Sequence, residues 1–168
     1  AECGGYPVFG AARETPDRIA KDIAEIRRRI GTRPFGVDLM YPKLAGDEPD
    51  RATAYAKTPM AHRAFVDAIR SKYAVPPARR GNFFSSQVRN QNFFRAQTEV
   101  VLASDADAVV TAVGLPPEVI RRAKDRGKLT FALVGAARHA AAARAADVDV
   151  LVAQGYDAGG HTGPVGTF

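Results

Sequence analysis

The feature that most restricts the fold is a regular alternation of short β-prone runs with helical segments. Ala108 to Val113 is apolar and β-branched, Pro116 to Arg126 reads as a helix ended by Gly127, and Leu129 to Val134 is strand-like again. An alanine-rich helix, Ala136 to Ala146, and a last apolar run, Val148 to Ala153, complete the series. Strand, helix and strand at this spacing imply right-handed crossovers and a parallel sheet.

The same unit is legible near the start. Tyr6 to Ala11 reads as a buried strand, after which Thr15 as N-cap and Pro16 at the first helical position make a favourable helix start. Ile19, Ile23, Ile26 and Ile30 then form one stripe, most charges lie off it, and Gly31 stands at the expected C-terminal position. Pro34 to Met40 reads as the second strand. From Tyr41 to about Ser104 the alternation pauses, punctuated by Pro42, Pro49, Pro59, Pro76 and Pro77. Helices are expected over about Pro59 to Tyr73 and Ser86 to Ala103, and the long link between them suggests a helical insertion or lid spanning 41–104. About five strands result, too few for a closed eight-stranded barrel. The start at Ala1-Glu2-Cys3-Gly4-Gly5 and the stop at Phe168 read as the limits of a single but incomplete domain, 1–168.

Composition narrows the classes further. With 46% hydrophobic and 25% charged residues over 168 positions, the chain is ordinary for a globular protein with a core. No apolar run reaches the roughly 18 to 20 residues of a spanning helix, and no export signal stands at the N-terminus, so a cytoplasmic location is expected. One cysteine, Cys3, excludes an intrachain disulfide. The net charge of +6 is spread from Arg13 to Arg144 and mostly interleaved with acids, with true runs only at Arg27-Arg28-Arg29 and Arg79-Arg80, so no nucleic-acid partner is expected. Phe84, Val88, Gln91, Phe94, Thr98 and Val101 recur at helical spacing, which assigns those aromatics to core packing rather than to base stacking.

The chemistry concentrates after the last strand, in Gln154-Gly155-Tyr156-Asp157-Ala158-Gly159-Gly160-His161-Thr162-Gly163. A glutamine, clustered glycines and a histidine at the end of an apolar strand suit a polar reaction site: glycine lets backbone approach a flat or phosphorylated ligand, and imidazole moves protons near neutrality. The duller readings are a loop histidine satisfied by backbone for His161 and a polar strand cap for Gln154. His62 and His139 read as structural or exposed, and Lys124 as a helix C-terminal charge. Three separated histidines and one cysteine provide no metal-ligand spacing, and neither a nucleophile elbow nor a Walker loop is present.

This segment resembles the Gln-Gly-x-Glu-Ala-Gly-Gly-His-x-Gly signature of the FMN-dependent nitronate monooxygenases. Ala1 to Ala11, Arg33-Pro34-Phe35-Gly36-Val37-Asp38-Leu39 and Gly114-Leu115-Pro116-Pro117 resemble further landmarks of that family, in the right order, so the resemblance covers Ala1 to Phe168. It implies an α/β fold, part of a (β/α)8 TIM-type barrel supplying roughly the second through fifth strands, with the phosphate-gripping loops of the last strands lying elsewhere. It also implies FMN as cofactor and a nitronate or nitroalkane plus dioxygen as substrates, giving a carbonyl compound and nitrite, with homo-oligomerisation left open. His161 would be the catalytic base, with Gln154, Gly159, Gly160 and Asp38 at the flavin. Asp38 departs from the family's asparagine: a carboxylate beside a flavin that becomes anionic on reduction is unfavourable unless paired or protonated. The lysine some members carry is absent from Leu133-Val134-Gly135-Ala136. Two alternatives stay open, an FMN-dependent enoyl-acyl-carrier-protein reductase drawing hydride from NAD(P)H and an inactive barrel fragment or interaction module.

Overall fold

In the computed structural model, residues 3–44, 50–77 and 88–160 are described. They form β1 (Val8–Gly10), α1 (Pro16–Ile30), β2 (Gly36–Met40), α2 (Arg51–Ala56), α3 (Met60–Lys72), α4 (Gln91–Ala103), β3 (Ala108–Ala112), α5 (Pro117–Lys124), β4 (Leu129–Val134), α6 (Ala137–Ala145) and β5 (Val150–Ala153). The five strands are all parallel and stand in the order β1-β2-β3-β4-β5, whereas a second-to-fifth register names four. Each strand read from the sequence is present. β1, β2, β3 and β5 are shorter than read because their outer residues lie beyond the ladder pairings.

Local chemistry accounts for the helix boundaries. Thr15 Oγ1 accepts a hydrogen bond from the Arg18 N–H at 3.2 Å, and the Gly31 N–H returns to the Arg27 carbonyl at 2.9 Å. Between these caps Ile19 and Ile23 are fully buried and Ile26 and Ile30 pack at the rim of the core. Burying each isoleucine side chain contributes about 1.5–3 kcal/mol. α4 starts at Asn90, whose Oδ1 accepts from the Phe93 N–H at 2.8 Å; the helical stretch read as starting at Ser86 is non-helical over 88–90, and Ser86 itself lies outside the described residues.

The stretch read as a helical insertion, 41–104, holds helices that pack differently. α4 buries Phe93, Phe94, Gln97, Thr98, Val101 and Leu102 and lies against α1 and β2, so it belongs to the helical layer that returns the chain to β3. α3 buries no side chain, and Met60, Phe65, Val66 and Tyr73 stay exposed. α2 was not foreseen; Asp50 caps it through the Thr53 N–H at 2.9 Å.

Val37, Leu39 and Val109 face α1, α4 and α5, and Ala132 and Val134 face Ala143 of α6, so these helices cover one side of the sheet. The opposite side carries Asp38 in register with Gly10, Val110 and, through Val110, Phe131. Sequential parallel order with the helices on one side is the arrangement of a (β/α)8 barrel wall, whereas a doubly wound sheet reverses its order and places helices on both sides. β5 is an edge strand, with Val150, Leu151 and Val152 all exposed. No described helix is long and apolar enough to cross a membrane.

The N-terminal rim of the sheet is pinned by polar contacts. Arg27 reaches the Asp105 carbonyl at 2.6 Å and Asp107 Oδ2 at 2.8 Å while its guanidinium lies over the Phe35 ring, and Asp107 Oδ2 also accepts from the Phe35 N–H at 3.0 Å. Lys128 Nζ donates to the carbonyls of Ser104 and Ala106, each at 2.7 Å. Asp149 Oδ2 accepts from the Thr130 N–H and hydroxyl at 2.9 and 2.7 Å and pairs through Oδ1 with Lys124 at 3.0 Å.

Candidate functional site

At the opposite rim the strand ends open into a cavity of about 560 Å³. Ala12 closes one side, Asp38 and Met40 of β2, Ala112 at the end of β3 and Val113 after it form the floor, and Leu133, Val134 and Gly135 continue it to Gln154 and His139. The lining is mostly apolar with a few convergent polar groups, the usual composition of a small-molecule site. A second groove, about 460 Å³, lies beside the start of α1. Its polar groups Thr15 and Asn90 are engaged as helix caps, and it lies away from the strand ends.

The floor is built by a close approach of two chain segments. The Tyr41 N–H donates to the Ala112 carbonyl at 3.0 Å, and a Cβ on Gly114 would stand 2.1 Å from the Tyr41 carbonyl oxygen. Only glycine fits there. Val113, immediately before it, is held at φ 57°, a left-handed conformation that costs a β-branched residue about 1–3 kcal/mol. Such strain at a strand end beside a cavity marks a backbone shaped for something other than stability. Behind the floor, Tyr41 and Thr98 share a 3.3 Å hydrogen bond, and burial pushes the Tyr41 phenol up to about 12.

Asp38 is the ionisable group on that floor. Its Oδ1 is buried and has no hydrogen-bond partner among the described residues, and burial alone pushes its pKa from 3.8 up to about 6. Gln154 is fixed by its backbone N–H, which donates to the Val134 carbonyl at 2.9 Å, and it lines the cavity. The structure therefore brings together two of the residues singled out in the sequence, Asp38 and Gln154. Gly159 and Gly160 lie in the turn beyond β5, at φ 76° and 70°, conformations that L side chains rarely adopt, but outside the cavity lining. His161 lies outside the described residues.

His139, read from the sequence as structural or exposed, is exposed and also lines the cavity. It stands in the first turn of α6, directly after the end of β4. The available signal was positional, since the segment following a strand of a (β/α) unit opens on the C-terminal face where such sites form. No cluster of three or more potential metal ligands is present among the described residues.

A family model described as nitronate monooxygenase matches residues 1–168. The chain belongs to the nitronate monooxygenase family. It is 34% identical to the Mycobacterium tuberculosis protein named "Putative monooxygenase Rv1533", a match covering all of this chain and 47% of that protein. It is 26% identical to the nitronate monooxygenase of Pseudomonas aeruginosa, over 95% of this chain and 42% of that protein. Among solved structures it resembles nitroalkane oxidase from Streptomyces ansochromogenes, with a TM-score of 0.70 and 27% identity over 96% of this chain and 42% of that one. The chain thus spans less than half the length of these family relatives.

Proposed function

We propose that this chain carries the flavin-facing part of the active site of an FMN-dependent oxidoreductase that oxidises nitronates or nitroalkanes. The observation that carries the reading is the cavity at the ends of β2 to β5, with mostly apolar walls and the polar residues Asp38 and Gln154 in its lining. A flat heterocycle with a polar edge suits that lining: Ala12, Met40, Ala112 and Leu115 would meet the ring, and Asp38 and Gln154 its edge. The family resemblance and the likeness to nitroalkane oxidase support the same reading.

FMN, held at its edge by Asp38 and Gln154, would supply the redox chemistry of converting a nitronate to a carbonyl compound and nitrite. The chain's own residues bind and move protons. His161 takes the proton from the carbon acid, a task for which imidazole needs no large pKa change. Gln154 orients the ring edge through its amide. Gly159 and Gly160 give backbone access near the histidine without side chains in the way. Met40, Leu115 and the alanines keep water from the ring face, which strengthens every polar contact at its edge.

The test is a visible spectrum of the purified chain with FMN, followed by anaerobic addition of propane-2-nitronate. Perturbed flavin bands that bleach on addition, with bleaching lost in His161→Asn, support the assignment. Bleaching by NADH but not by the nitronate transfers it to a nicotinamide-linked reductase. An FMN spectrum identical to that of the free cofactor overturns it.

A further inference from the structure

Asp38 is a carboxyl group in an apolar layer. Its cross-strand neighbours on the same side of the sheet are Gly10, Val110 and, beyond, Phe131, none of which offers a side-chain donor. It enters no ion pair with a described residue; its Oδ1 is buried without a partner, while the residue lines the cavity. The titratable or charged groups around it are few. Tyr41, at the end of the same strand, turns its hydroxyl to Thr98 of α4. Arg122 on α5 is engaged by Glu99 at 2.6 and 2.7 Å, and His139 lines the cavity from α6.

A buried carboxylate needs several donors to replace its water, whereas a carboxylic acid needs only one acceptor for its O–H. Nothing described around Asp38 supplies those donors. An arriving ligand therefore completes the group in one of two ways: it offers an N–H to a carboxylate, or it offers an oxygen to a protonated acid. The apolar surroundings and the orphaned oxygen favour the second.

We propose that Asp38 serves as a hydrogen-bond donor in this cavity, presenting its carboxyl O–H to an oxygen acceptor of the bound ligand and selecting for ligands that place a carbonyl or nitronate oxygen there. This rests on the flavin-site reading above and goes beyond it in fixing the protonation state and direction of one hydrogen bond. The acceptor has two sources, a ring carbonyl of the flavin or an oxygen of the nitronate, and the two are separated by adding each alone. Desolvation, which already holds the free Asp38 at about 6, acts in the same sense.

The experiment follows the Asp38 side-chain carboxyl carbon by NMR in the full 168-residue chain, labelled with 13C-aspartate and assigned by its loss in Asp38→Asn. It is titrated from pH 4 to 8 alone, with lumiflavin, and with propane-2-nitronate. Lumiflavin carries the ring without the phosphate, whose own ionisation near pH 6 would otherwise intrude. The proposal expects one probe to raise the Asp38 midpoint by about one unit or more, with affinity about tenfold weaker at pH 8 than at pH 5. Asp38→Asn keeps a donor and cannot ionise, so its affinity lacks that tenfold loss; any pH dependence from the ligand or from histidine is common to both proteins and cancels in their ratio. A midpoint that falls on binding shows a carboxylate accepting an N–H and overturns the proposal, as does one that stays where it was. If lumiflavin binds without raising the midpoint and the nitronate does not raise it, the donor role fails while the flavin site stands. If lumiflavin binds neither protein at pH 5, the flavin-site reading itself fails and the proposal falls with it.

Discussion

Gly114 offers the sharpest test of how the site is built. In Gly114→Ala the new methyl carbon would sit 2.1 Å from the Tyr41 carbonyl oxygen and 2.9 Å from its carbon, both main-chain atoms that no rotamer change can move aside. Relieving the clash requires the β2 and β3 ends to separate by about 1 Å, an overpacking strain of about 1–3 kcal/mol. That movement stretches the 3.0 Å hydrogen bond from the Tyr41 N–H to the Ala112 carbonyl beyond useful length, adding about 0.5–1.5 kcal/mol. The expected total is about 3 kcal/mol. With a urea dependence of about 2 kcal/mol per molar, the unfolding midpoint falls by roughly 1.5 M. The control is Gly10→Ala in β1, where a Cβ meets nothing within 4 Å, and it should change the midpoint little. Equal midpoints for the two variants would refute the close approach as the reason for glycine at 114.

Two further outcomes are expected. Asn90→Ala removes the side-chain acceptor of the Phe93 N–H at the start of α4 and should cost about 1 kcal/mol, a fall of about 2–4 °C in Tm for a chain this size, with Asn90→Ser restoring most of it. For Asp107, burial raises the pKa, but the Arg27 hydrogen bond, the Phe35 N–H and the Arg27 charge outweigh it and hold the carboxyl below its usual 3.8. A depressed folded pKa stabilises above the unfolded value and is lost as pH falls through the folded one, so wild type should lose urea resistance below about pH 4, and Arg27→Met should lose less between pH 6 and pH 3. Parallel losses in the two proteins would sink that account.

Much of the sheet was legible because the helix-covered side of a parallel sheet must be apolar, and Val109, Val37 and Ala132 sit where that logic puts them. The stripe predicted on α4 is buried at Phe94, Thr98 and Val101. Gln97 was not foreseen as core: a glutamine reads as surface, yet its Nε2 donates to the Glu14 carbonyl at 2.7 Å, which holds the loop after β1. α2 was missed because six residues fixed by one Asp50 cap carry no hydrophobic period. In the site, Gln154 was legible from its place at the end of an apolar strand, and Asp38 only through the family landmark in which it stands. His139 was not, because its access to the cavity depends on how α6 is set against the end of β4 rather than on its alanine-rich neighbours.

The placement of the polar pins bears on how this protein can change. Arg27 with Asp105 and Asp107, Lys128 with its two carbonyls, and Asp149 with Thr130 and Lys124 all fasten the rim where the strands begin. The rim where they end holds the cavity, an unpaired carboxyl and a strained valine. Because effects at sites well apart usually combine independently, residues such as Ala12, Leu115 and His139 can be varied for a new substrate without loosening those pins. The two ends of the same strands thus divide the labour: one fastens the fold, and the other leaves room for a change of trade.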